Sequence, residues 1–169
     1  MMEIQFNEKG GIPAEGIFSI RVKDLTGKVL IDDIEHNMIV LSSKTMLSRL
    51  IGNDGEGYPI TRLAFGTTPA AASPSDTEIS GVTPDLLEDG PNLQDGNIVA
   101  FVKRIHLTEY PEYNQVSFSW ELGYSEGNGL DITEFALLSD NGTMFSRKAR
   151  GVIAKEADLS IEGVWTLIF

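Results

Sequence analysis

The sequence predicts a mainly β fold: an antiparallel β-sandwich of about seven or eight strands with one short α-helix and a long proline-rich loop. Three observations carry that expectation. Apolar and polar residues alternate over several segments, the period of a half-buried strand. Turn signals such as Asp24-Leu25-Thr26-Gly27 and Asp140-Asn141-Gly142 separate those segments. Glycine is abundant, at 17 of 169 residues, and only one stretch has helical spacing.

From the N-terminus, Ile17 to Lys23 and Lys28 to Ile34 flank the Asp24–Gly27 turn and read as a hairpin. A helix is expected next. Ser42 or Ser43 can cap it, Met46, Leu47, Leu50 and Ile51 share one side, and Gly52 suits the C′ position. That apolar side should lie on the sheet. Ile60 to Phe65 is a further strand. The span from Gly66 to Gly96 then holds four of the seven prolines, and six acidic but no basic residues. So long a loop inside a compact domain is unusual, and ordering by a neighbouring chain is the favoured reading.

Asn97 to Leu107 places Val99, Phe101, Ile105 and Leu107 on one face, with Lys103 interrupting. Glu109 to Asn114 turns the chain into Gln115–Tyr124, so those two strands should pair antiparallel. Gln115–Tyr124 is the clearest strand, with Val116, Phe118, Trp120, Leu122 and Tyr124 on its apolar face. Ile132 to Ser139 and Thr143 to Ala149 form a hairpin around Asn141-Gly142, a pair suited to a type I′ turn. Leu159 to Phe169 aligns Leu159, Ile161, Trp165, Leu167 and Phe169, with Gly163 the gap in the row, and is expected to end inside the core. Residues 1–169 thus read as a single β-sandwich domain, with hairpin and helix in 1–59 and the remaining strands in 60–169.

Composition excludes several functions. Without cysteine there is no disulfide framework, thiol nucleophile or thiolate metal site. A formal charge of -12 should repel phosphate backbones and anionic lipids, so neither nucleic acid nor membrane is an expected partner. The start MMEIQFNEKGG lacks a secretory pattern, and synthesis in the cytoplasm is expected.

No convergent chemistry is visible. His36 and His106 lie far apart with no nucleophile motif beside them. The carboxylate pairs Asp32 and Asp33, Glu88 and Asp89, and Glu121 with Glu126 read more simply as a solvated acidic surface than as a glycosidase pair. Gly52–Gly57, GNDGEG, has calcium-loop composition but not the spaced ligand set. Ala64–Pro69 has no lysine and no phosphate-cradling glycines. Trp120 and Trp165 fall at inward strand positions. No catalytic, cofactor-binding or metal-binding residue, and no cofactor, is therefore expected. The chain is read as a non-enzyme.

One charge feature stands out. Arg147, Lys148, Arg150 and Lys155 supply four of the 13 basic residues within nine positions, whereas Leu63 to Val102 has none. A solvated face is the default reading, but segregated signs also suit subunits that meet ring-wise. The interface candidates are therefore Arg147, Lys148, Arg150 and Lys155 on the basic side, with Pro69, Pro74, Asp85, Glu88 and Asp89 from the long loop.

The order of motifs carries a resemblance. Ala64 and Gly66 in a strand, Pro69 and Thr77 in a proline-rich loop, then Ile132, Glu134 and Leu137 in a strand are followed by the Asp140–Gly142 hairpin. Lys155 then precedes a last strand from Ile161 to Phe169. This series, from Ile60 onward, resembles the anchoring domains of tailed-bacteriophage tail-collar fibres and other small phage virion proteins. The resemblance implies a mainly β attachment component of a collar, neck, tail or baseplate, located in the virion. It also implies that the chain binds other virion structural proteins, as a symmetric homo-oligomer, without catalysis. Capsid decoration is the alternative within that class. Outside it stands a carbohydrate-binding or hydrolytic module using Tyr110, Tyr113 or Tyr124 with surface acids.

Overall fold

The computed structural model describes residues 14–79, 82 and 88–169. Among them the strands are β1 (Glu15–Asp24), β2 (Val29–Ile39), β3 (Ile60–Gly66), β4 (Gly90–Gln94), β5 (Asn97–Arg104), β6 (Leu107–Glu109), β7 (Gln115–Leu122), β8 (Leu130–Ser139), β9 (Met144–Lys155) and β10 (Leu159–Ile168). The helix α1 (Ser42–Ile51) lies between β2 and β3. The protein is mainly β and antiparallel, with a single short helix among the described residues.

The strand order β4-β5-β3-β8-β9-β2-β1-β10-β7-β6 folds into two facing layers. The first layer is β2-β1-β10-β7-β6 and the second β4-β5-β3-β8-β9. They join where the end of β2 pairs with β9, at Met38 opposite Arg147 and Ile39 opposite Ser146. Between them sits an aromatic core. Phe18 of β1 lies 4.8 Å from Phe135 of β8, and Trp120 of β7 lies 5.5 Å from Phe65 of β3, centroid to centroid. These tilted and edge-on contacts suit ring quadrupoles.

Gly163, the gap in the apolar row of β10, is where Trp120 fits. A Cβ there would fall 2.4 Å from Trp120 Cζ2 and 2.3 Å from the Ser19 carbonyl oxygen. The missing side chain is thus part of the packing.

The second layer is buried on both faces. Its outer face presents Ala64, Ala100, Val102, Ala136, Leu138 and Met144, covered by Val40, Ile79 and Val82. For that reason β3 and β8 read as nearly continuous apolar runs instead of alternating.

Several expectations change here. The Asn97 and Gln115 strands do not pair: β5 pairs with β3 and β4, and β7 with β10 and β6. The chain changes layers between consecutive residues, with the Ile105 amide donating to Thr61 O (2.9 Å) and the His106 amide to Ser119 O (2.8 Å). The β8–β9 turn is not type I′. Only Gly142 has positive φ (84°), its amide donates to Ser139 O at 3.0 Å, and the loop spans three residues, Asp140–Gly142. The Asn141 side chain explains this: its oxygen accepts from the Ser139 hydroxyl and from the amide and hydroxyl of Thr143. The type I′ geometry occurs instead between β4 and β5, at Asp95 (φ 52°) and Gly96 (φ 79°).

At α1 the N-cap is Leu41, not a serine. The Ser42 hydroxyl donates to Met144 O and the Ser43 hydroxyl to Val40 O, so both are spent on neighbouring carbonyls. Gly52 ends the helix at φ −77°, and the left-handed residue is Asn53 (φ 58°). Met46 is buried, but Leu50 and Ile51 are 40% and 85% exposed, so the helix covers the sheet with only part of its apolar side. At the end of β10, Leu167 is buried whereas Phe169 is 45% exposed, not enclosed in the core.

Candidate docking surface

The basic cluster expected at the surface is largely internal. Arg147 shares the outer face of the second layer with its partner Ala136, and its side chain is only 4% exposed. Its Nε donates to Glu134 Oε2 at 3.0 Å, Nη1 to Asp76 Oδ2 at 2.9 Å and Nη2 to Ala70 O at 2.9 Å. Glu134, itself 1% exposed, also accepts the Thr68 amide at 2.9 Å. Gly66 makes room for that carboxylate, since a Cβ there would lie 2.5 Å from Glu134 Oε1. Arg147 therefore straps the loop after β3 onto the sheet. The described part of the loop is thus held to the sheet from within the chain.

Lys148 and Arg150 alternate to the other face of β9, where β2 diverges from it. Lys148 pairs with Glu35 and donates to His36 O at 2.9 Å, and Arg150 Nη2 lies 3.1 Å from Asp33 Oδ2. Their side chains are 15% and 11% exposed, so these cations close the seam between the layers. Lys155 is fully buried, with Nζ donating to Asn128 Oδ1 at 2.8 Å and to Glu156 O at 3.0 Å. Burial holds its ammonium below the usual lysine pKa, partly offset by Glu126, Asp158 and Glu156. Arg147 and Lys155 are thus corrected from surface docking residues to buried ones, whereas Lys148 and Arg150 are half-buried, because each finds carboxylate or carbonyl oxygens within its own chain.

Of the loop candidates, Pro69, Pro74, Glu88 and Asp89 are exposed. Pro74 O accepts the Leu41 amide at 2.8 Å, and Asp89 lies 3.7 Å from the Arg62 guanidinium. Asp85 lies outside the described residues.

The carboxylate pairs do not converge. Asp32 lies on Arg21 at 3.1 Å and Asp33 on Arg150, while Glu126 takes Lys103 and Glu121 points to solvent. Burial pushes the Glu126 carboxyl up, but the hydrogen bonds from Lys103 and the Gly123 amide outweigh it and leave the pKa below the usual value. Asp54 of the calcium-like loop pairs with Arg49. His36 is exposed beside Glu15, with Nδ1 3.0 Å from Oε1. Among the described residues no group of three or more His, Cys, Asp or Glu is placed to hold a metal ion. No helix among them is long and apolar enough to cross a membrane. Trp120 and Trp165 are core residues.

Sequence reasoning missed an apolar hollow of about 270 Å³ where α1 meets the ends of β6, β7 and β10. Leu47, Leu50, Ile60, Tyr110, Val116 and Phe169 line it. Tyr110 is 77% exposed and the neighbouring Tyr113 fully so, whereas the Tyr124 hydroxyl donates to Asp24 O at 2.8 Å. The signal was present as an excess of apolar residues at the end of α1 and the aromatic Glu109–Asn114 turn. No protein-family model, curated protein or solved structure matches this chain.

Proposed function

We propose that this chain is a non-enzymatic structural component of a tailed-phage virion, docking on other virion proteins at a collar, neck, tail or baseplate. Capsid decoration is the other position for the same role. The observation that supports this reading most is where the charged side chains go. Arg147, Lys148, Arg150 and Lys155 are spent fastening the sandwich, and Asp32, Asp33 and Glu126 each lie on a cation. A rigid body with an exposed apolar rim suits assembly better than turnover. The motif order from Ala64 to Phe169 adds the phage context.

The test is direct imaging of purified particles with an antibody to this chain. Labelling at a symmetric position supports the reading, and particles free of the protein defeat it. A second reading rests on Tyr110 and Tyr113, which stand exposed beside Glu109 and Glu112 as a sugar platform could. Absence of binding and hydrolysis across a glycan panel would eliminate that alternative.

A further inference from the structure

We infer that the hollow beside α1 and the unpaired edge of β6 form one docking site for an extended segment of another protein. That segment carries one aromatic or large aliphatic anchor flanked by cationic residues. The inference does not depend on the virion reading, since it rests on shape, strand edge and charge at this one place.

Size is the first argument. At about 270 Å³ the hollow is smaller than the roughly 300–1,000 Å³ of small-molecule sites, and it suits a single large side chain. Its walls include Leu47, Val116 and Leu167, and its mouth is framed by Leu50, Tyr110 and Phe169, which are 40%, 77% and 45% exposed. Such a socket gives an anchor residue a desolvated seat, the arrangement in which a few side chains carry most of the binding energy.

The second argument is the backbone. β6 ends the strand order and pairs only with β7, so its other edge has no strand partner among the described residues. An extended segment can add there through main-chain hydrogen bonds. Thr108 of β6 also lines the hollow, so a strand laid along that edge runs past the socket.

Charge chooses the occupant. Glu109 and Glu112 flank Tyr110 on one side, and Glu56 precedes Pro59 on the other; all three are exposed, and none is in an ion pair with another described residue. Arg49, in the last turn of α1, is already paired with Asp54. A second copy would bring the same acidic rim and the same formal charge of -12, whereas a cationic segment complements it.

The experiment uses the full chain and three fluorescein-labelled heptapeptides. One alternates lysine and valine around a central tryptophan, one replaces its lysines with glutamate, and one replaces its tryptophan with glycine. Fluorescence anisotropy should show saturable binding of the lysine–tryptophan peptide only, weakened at least tenfold by Leu50→Arg and by Glu109→Lys with Glu112→Lys. Circular dichroism of each variant confirms folding. Equal binding of the glutamate peptide, or unchanged affinity in folded Leu50→Arg, overturns the proposal. So does a dimer in sedimentation that Leu50→Arg dissociates, which would assign the hollow to a second copy.

Discussion

The same chemistry, an arginine between two carboxylates, occurs on the outer faces of both layers with opposite consequences. On the first layer Arg21 lies 3.1 Å from Asp32 and 3.8 Å from Glu162, with all three side chains at least 40% exposed. On the second, Arg147 joins Glu134 and Asp76 beneath the loop after β3, at 4% exposure. Water and ions screen the first network, so its pairs add little to stability. In the second network Arg147 and Glu134 are enclosed and hold each other by hydrogen bonds, with Asp76 at the rim, so screening there is weak. Burial, rather than the number of ion pairs, decides which network holds the fold.

Removing one side of the buried network should have the largest effect. Arg147→Leu leaves Glu134 enclosed without its cation and should destabilise the protein by about 3–5 kcal/mol in urea unfolding. Hydrogen exchange should then accelerate across residues 67–79, which lose their strap. An unchanged urea midpoint would mean that the buried network is no more important than the exposed one.

Next comes packing. Gly163→Ala sets a methyl group against Trp120 and the Ser19 carbonyl and should cost about 1–3 kcal/mol, read by the same unfolding assay. The intermediate case between the two networks is Glu126, half-covered and bound to Lys103. Its pKa is lower in the folded protein than its ordinary 4.5, so its stabilisation is complete above that value and is lost as pH falls through the lowered pKa. Thermal unfolding between pH 6 and pH 3 should therefore show a smaller loss for Glu126→Gln than for the unaltered chain. At the weak end, Arg21→Ala should change stability by no more than about 1 kcal/mol.

The strands and the helix were legible because their periods are local. That β1, β7 and β10 are strands follows from alternation, and that β2, β8 and β9 are strands from the turns beside them, although β2 runs on to Ile39 and β9 to Lys155, beyond the expected Ile34 and Ala149. The β4–β5 hairpin was hidden, since Asn92 and Gln94 give no apolar alternation even though Asp95-Gly96 is a strong turn signal. The pairing of β5 could not be read, because one residue, Ile105, decides which layer the chain joins next. The largest error concerned Arg147, which the run of basic residues from Arg147 to Arg150 makes look exposed. A signal did exist: Glu134 sits among apolar neighbours in ITEFALL, and an acid in such a strand needs a buried cation nearby. The apolar hollow was illegible because it is assembled from α1, β6, β7 and β10, none of which is adjacent in sequence to all the others.

The pairing of β1 with β10 sets Glu15 opposite Ile168 and Asp24 opposite Leu159. On a ribosome, the earliest strand of the first layer therefore has no inner neighbour but β2 until β10 has been made. The β1–β2 hairpin must wait with its β10-facing edge unpaired, while the strands of the second layer are already available to one another. A nascent chain arrested before Leu159 should consequently offer that open strand edge to chaperones, and completion of β10 is the event that closes it.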